Sequence, residues 1–409
     1  MNKQQSQMEN QQNGGRRYIV LDVVFYGSSL NYDQGTGNYQ ELKKITKWDG
    51  KQYSFVSRYA LRYSILETGK NLGLWCIADA TYLQRAGEGD KTVIQPAIKT
   101  LLSGEILKYP EFDLFGYLIT NTSPQNAREA PVKISHAVSL TPYTYDSHFC
   151  GNLGLAKRMV DTTGKMDPNL FTVEEHQTYY IYTVVIDVDR IGKNEVYLSK
   201  EEGKNWKVEI KENNDKYKIK IKIGNQESTY ELKRNNNGVE ITKSELEKVY
   251  ILTQTLANID DVVKERIAKL IKSILYLSRN IKGRNEILHP KLLIVGMYRN
   301  IPYKSYKDRI ILSDKYEEIF EERKESQGND EIRIIRRVVK LKRPTFILKG
   351  IKVDEQNIKS IDEAEAIIFG DINNNRSEGM LSKLLSSKSN LEEICVFKAP
   401  EVEVEILKA

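Results

Sequence analysis

Arg58 and Arg62 are the residues in this 409-residue chain whose type and spacing most directly suggest chemistry. Four apart on a helix, they project from one face, one turn from each other. Each guanidinium offers a planar fork of donors, which suits two successive phosphates. The plainer reading is a solvated helix face. The surroundings favour an anion site, because Lys43, Lys44, Lys47 and Lys51 precede the pair and Asp49 is the one acid from Leu42 to Arg62.

A second constellation lies between Asn126 and Tyr143. Val132, Ile134, Ala137, Val138 and Leu140 form a short apolar run bounded by Pro131 and Pro142, which predicts a buried strand rather than a helix. Lys133, Ser135 and His136 interrupt that run, with Arg128 just upstream. A strand that carries a cation, a hydroxyl and an imidazole beside its packing face either presents them to a ligand or has an ordinary solvated side.

Acid–base or metal chemistry has less support. The four histidines are His136, His148, His176 and His289. His148 and His176 flank one segment and would serve as acid and base for RNA cleavage, but none has a neighbouring nucleophile or a recognised metal-ligand spacing. Cys76, Cys150 and Cys395 fit neither a disulfide framework nor a zinc pattern, and they read as buried thiols in a reducing cytoplasm. No catalytic residue, metal or cofactor is expected.

The elements that must position these groups follow from the chain in order. Residues 1–15 are Gln/Asn-rich and predict a disordered tail with no signal peptide. Tyr18 to Tyr26 reads as a strand, leading into a Gly/Ser loop (27–37) that is either a weak phosphate cradle or a plain surface loop. Val56 to Leu66 reads as a helix capped by Ser54 or Ser57 and stopped at Gly69, with Val56, Tyr59, Ala60 and Tyr63 facing the core. Ile94 to Leu107 predicts another helix. From His148 to His176, glycines punctuate a mix of Lys157, Arg158 and Lys165 with Met159, Met166, Leu170 and Phe171. Apolar side chains amid cations suit wedging between bases while holding the backbone; a hairpin whose methionines fill core gaps is the alternative.

Thr178 to Val188 predicts a central strand whose aromatics pack the core. Residues 190–245 alternate at 216–223 and predict a two- or three-stranded antiparallel insertion with one exposed face. Leu256 to Leu277 carries the clearest helical stripe. Further expectations are a strand at 291–297, a charged helix at 314–326, and strands at 366–370 and 394–407. Arg333 to Val353 holds eight cations and no acid. With 40% hydrophobic residues, 29% charged residues and a formal charge of +6, the chain can bury a large core and suits a polyanionic partner. No apolar run approaches the ~20 residues that span a bilayer.

The 126–143 stretch, with Asn152-Leu-Gly-Leu155 soon after it and Asp113-Leu-Phe-Gly-Tyr117 before it, resembles the DevR-type backbone subunit of subtype I-B CRISPR Cascade complexes. The resemblance runs from about Tyr18 to Leu407 and is weakest over 190–245. It implies an α+β fold: a modified RNA-recognition-motif (ferredoxin-like) palm spanning 16–409 as a single domain. Insertions at about 70–125 (fingers), 148–176 (thumb hairpin) and 190–245 would decorate it. It implies a non-catalytic, cytoplasmic protein that polymerises along crRNA by sequence-independent backbone contacts and presents the spacer to target DNA in antiviral defence. The implied partners are crRNA, further copies in a helical filament, the small, large and guide-processing subunits, and target DNA, with no membrane.

The RNA-binding residues so implied are Asn31, Lys43, Lys44, Lys47, Ser57, Arg58, Arg62, Arg128, Lys133, Ser135, His136, Asn152, Lys157, Arg158 and Met166. Related type III backbone subunits cut RNA with a loop aspartate and a metal. Asp33 is the candidate here, in a context resembling the non-cutting pattern. A metal-dependent endoribonuclease and a stand-alone single-stranded RNA-binding regulator are the alternatives.

Overall fold

The computed structural model describes residues 15–87, 89–166, 168–203, 206–313, 317–327, 330–340, 344–370 and 378–407. The tail expected at 1–15 lies almost wholly outside these residues, and the side chains of 314–343 are likewise outside the description. The architecture is mixed α+β.

The first strand, Arg17–Ser28, lies within a nine-stranded sheet. It pairs antiparallel with Gln177–Asp187 on one side and Pro290–Arg299 on the other. Beyond Gln177–Asp187 come Ala137–Ser139, Gln52–Val56 and Lys44–Thr46, and beyond Pro290–Arg299 come Leu391–Lys398 and Lys359–Ser360. Both faces of the first strand are covered, which is why its sequence reads as a near-continuous apolar run. Ile19, Leu21, Val23 and Phe25 meet Leu61 and Ile65 of the helix Arg58–Asn71, and Val263, Ile267 and Ile274 of the helix Ile259–Leu275. On the opposite face Val24, Ile181 and Leu292 pack against Tyr306, Ile310, Phe346 and Leu348.

Asp22 is the polar exception in that strand. Its buried carboxylate accepts from Thr183 Oγ1 (2.5 Å), Ser305 Oγ (2.8 Å) and the Tyr306 amide (2.6 Å), pinning the 300–309 loop to the sheet. Burial raises its pKa, against these hydrogen bonds.

A second core joins two distant segments. Ile98, Leu101, Leu107 and Phe112 pack with Val196, Trp206, Tyr217, Ile219, Val239 and Leu252. The expected insertion at 190–245 is therefore larger than predicted. Seven strands run from Lys193–Ser199 to Val249–Leu256 in two sheets, and they enclose the 98–112 segment instead of standing alone. The alternation at 216–223 holds, with Tyr217, Ile219 and Ile221 buried and the intervening lysines exposed.

Several expectations are corrected. Ile94 to Leu107 is not one helix: Pro96 ends a strand (Val93–Pro96), a short helix covers Ile98–Leu102, and Gly104 at φ +75° breaks it before a single turn at Glu105–Lys108. The charged segment expected as a helix at 314–326 is a strand, Glu317–Gln327, paired with Asp330–Lys340. The Ile/Val-rich partner strand imposes a ladder that outweighs the helix preference of Glu, Lys and Arg. Residues 366–370 fall in and just after the helix Ala364–Phe369. Gly69 lies within its helix, which runs to Asn71 and is capped by Leu72; its bare Cα faces the Trp75 ring. Among the described residues no helix is long and apolar enough to cross a membrane.

Candidate nucleic-acid interface

The 126–143 stretch forms three short strands, Asn126–Arg128, Val132–Ile134 and Ala137–Ser139. The last two both pair with Gln177–Asp187 and are separated by an irregularity at Ser135–His136. There the Ser135 amide donates to the Thr183 carbonyl, and Ser135 Oγ accepts from the Thr183 amide, both at 2.9 Å. This break frees the His136 ring from the ladder. Its Nδ1 accepts the backbone N–H of Arg58 at 3.0 Å, and its ring meets Phe55 edge-on at 5.1 Å.

The helix that carries the arginines is therefore held at its N-terminus from three sides. Ser57 is the N-cap, its Oγ accepting from the Ala60 amide at 3.2 Å. Asn31 Oδ1 accepts the Ser57 amide at 2.9 Å, and His136 takes the next amide. Orphan N–H groups at a helix start need such partners.

Arg58 and Arg62 are exposed on one face of this helix, as the spacing predicted. Tyr59 and Tyr63 were expected in the core and are instead 61% and 63% exposed beside them; the buried face is Leu61, Ser64, Ile65, Leu66 and Thr68. Arg58 stacks over the Tyr59 ring at 4.9 Å and donates to its hydroxyl at 2.9 Å, which lowers the tyrosine's pKa. Arg58, Arg62 and Lys133 line one open cleft of about 330 Å³, floored by Phe115, Val132 and Ile134. Lys133 reaches Glu129 at 2.5 Å. Glu129 also holds Arg190, and the two cations push its pKa down to about 2.

Residues 19–319 match the family described as the CRISPR-associated negative auto-regulator DevR/Csa2. The chain belongs to this family. No curated protein matches it. Among solved structures, a chain of a "CRISPR RNA-guided surveillance complex, pre-nicking" is similar at 10% identity and a TM-score of 0.37, over 71% of this chain and 81% of that one. A chain of a "Type IV-B CRISPR Complex" is similar at 13% identity and a TM-score of 0.24, over 41% and 71%.

Not every candidate of this DevR/Csa2 chain joins the cleft. Arg128 does not: its side chain is 6% exposed and is bound to the fully buried Asp113 at 2.7 Å, with further bonds to the carbonyls of Asp113 and Arg190. Arg266 and the Gly192 amide complete the shell around Asp113. Arg128 is a structural strut joining the two cores. Lys44 is also engaged, paired with the buried Glu174 at 2.8 Å. Lys43 pairs with Asp33 at 2.8 Å, which lowers the Asp33 pKa. Lys47 lies 3.8 Å over the Tyr53 ring.

In loop 27–37 the amides of Ser29, Asp33 and Thr36 donate to backbone carbonyls within the protein, which favours the plain surface-loop reading. Asn152 caps a separate helix, Leu153–Thr163, on which Lys157 and Arg158 are exposed. That helix links two paired strands, Ser147–Gly151 and Leu170–Glu174, and Phe149, Leu155, Met159 and Met166 are exposed around it. His176 is half-buried on Ser54 (2.6 Å), with its pKa lowered by burial, and His148 is 3.5 Å from Glu175. Of the 333–353 cations, Arg333 to Arg343 lie outside the described side chains, while Lys349 and Lys352 are exposed.

Sequence reasoning missed Lys307. Its ammonium donates to Ser135 Oγ (3.2 Å) and to the His136 carbonyl (3.3 Å), and burial lowers its pKa. The signal was present in the alternating Tyr303-Lys-Ser-Tyr-Lys-Asp-Arg309, whose fold Asp22 fixes.

Proposed function

We propose that this protein is a non-catalytic crRNA-binding backbone subunit of a type I-B Cascade complex. The carrying observation is the cleft in which Arg58, Arg62 and Lys133 converge on a helix start held by His136. Three cations beside exposed tyrosines suit ribose-phosphate held without sequence preference. The spacer's bases would stay free to pair with target DNA.

An RNA-recognition-type palm accounts for the main sheet. The strands Pro290–Arg299, Arg17–Ser28, Gln177–Asp187 and Ala137–Ser139 lie side by side and antiparallel, with two helices on one face. A fourth-first-third-second order supports the split βαβ reading. The 147–174 unit would be the thumb, and the segment sharing the second core would be the fingers, within one domain from 16 to 409. Copies of the chain, the other Cascade subunits and target DNA would be its partners in the cytoplasm.

Native mass spectrometry with guides of different length tests this reading. Multimers whose copy number rises with guide length support it. A monomer that prefers one sequence supports the stand-alone regulator instead. RNA cleavage that stops with chelator and with Asp33→Ala supports the nuclease.

A further inference from the structure

Beyond the cleft, the basic surface continues to a fully exposed indole. Lys307 sits against His136 next to Arg58, and its charge acts in turn on Lys47, whose pKa is lowered first by burial and then by Lys307. Lys47 begins the turn of the edge hairpin formed by Lys44–Thr46 and Gln52–Val56. The Gly50 amide donates to the Lys47 carbonyl at 3.0 Å, the Lys47 amide donates to the Lys51 carbonyl at 3.1 Å, and Gly50 takes φ +74°. This is the three-residue hairpin loop in which a turn is closed by a left-handed glycine.

The turn is built to hold one side chain out. Asp49 accepts from the Lys51 amide (3.1 Å) and the Tyr53 hydroxyl (2.7 Å), and Lys47 folds back over the Tyr53 ring. Trp48 remains 97% exposed. Single exposed apolar residues are ordinary on protein surfaces. This one stands on a braced turn, between Lys47 and Lys51, at the end of a row of cations that runs through Lys307, Arg58 and Arg62.

We propose that Trp48 is a base-stacking residue: it takes a nucleobase of the single strand whose phosphates lie on Arg58 and Arg62. The proposal rests on the RNA-binding reading above and names a contact that reading does not contain. Stacking on an aromatic face tolerates any base, so it adds grip without adding sequence preference.

The test uses the full chain, its tryptophan fluorescence and two short oligonucleotides of equal length, oligouridine and an abasic strand. Trp75 and Trp206 donate to the carbonyls of Leu66 and Ser199, so they provide a steady background. Oligouridine is expected to quench the wild-type emission. Trp48→Ala should remove most of that quenching and weaken binding about 5- to 150-fold. Trp48→Tyr should retain most of the affinity. The abasic strand should bind the wild type and Trp48→Ala equally.

If oligouridine binds in an Arg58-dependent way but Trp48→Ala changes neither quenching nor affinity, the stacking role is overturned and the RNA-binding reading stands. Emission that changes with protein concentration without RNA, and is lost in Trp48→Ala with RNA affinity intact, makes Trp48 a contact to a second copy and overturns the proposal. No oligonucleotide binding by the wild type overturns both.

Discussion

His136 Nδ1 accepts the Arg58 amide at 3.0 Å, which ties the strand region at 132–139 to the start of the arginine helix. The bond needs a bare Nδ1, hence a neutral ring. Burial, then the charges of Arg58 and Lys307, lower the His136 pKa below its ordinary value. A depressed histidine contributes stability that is complete above the unfolded value of about 6.5 and is lost as pH falls through the lower folded value. The thermal midpoint should therefore drop on going from neutral to mildly acidic pH. His136→Gln should shallow that drop, with His176 and His289, both also lowered by burial, contributing to what remains; equal slopes in thermal melts would refute the assignment.

Arg58→Ala and Arg62→Ala should weaken RNA binding while leaving stability within ~0.5 kcal/mol, because both side chains are exposed. Each should also flatten the log–log salt dependence by about 0.7 per lost phosphate contact. Affinity titrations across a salt series read both quantities. An unchanged slope would place the phosphates elsewhere.

Arg128→Ala should behave in the opposite way. Removing one partner of a buried ion pair costs about 3–5 kcal/mol, since Asp113 is left without one of its cations. Chemical denaturation should show that loss, while the remaining folded protein keeps its RNA affinity. Weakened RNA binding at full stability would return Arg128 to the interface.

Gly69→Ala separates propensity from packing. In a helix interior alanine is favoured over glycine by about 1 kcal/mol. Here the added Cβ would overlap the Trp75 ring, and the Trp75 indole is held by the Leu66 carbonyl at 2.9 Å. Overpacking of about 1–3 kcal/mol wins, so the variant should melt lower than wild type.

The long strands were legible in the sequence because burial on both faces leaves an uninterrupted apolar run, as in Arg17–Ser28 and Gln177–Asp187. The arginine pair was legible from its four-residue spacing. Tyr59 and Tyr63 were misplaced, because an aromatic at helical spacing looks the same in sequence whether it packs inward or stands beside a guanidinium. The burial of Arg128 was not legible for a similar reason, since its carboxylate partner is fixed by tertiary packing alone. The basic stretch around Lys307 was legible, but its place beside Ser135 and His136 and the second core depend on contacts between segments far apart in the chain, which no local pattern encodes.

The position of the first strand has a consequence for biosynthesis. Of its two neighbours, Gln177–Asp187 is made in mid-chain and Pro290–Arg299 only after most of the polypeptide. At about 5–20 residues per second, the ribosome takes roughly 15–60 s to deliver the second of them. Until then Ile19 to Phe25 keeps at least one open hydrogen-bonding edge and only part of its apolar cover, the condition under which nascent strands aggregate. Productive maturation is thus a late, all-at-once event, and truncation before Arg299 should yield insoluble product.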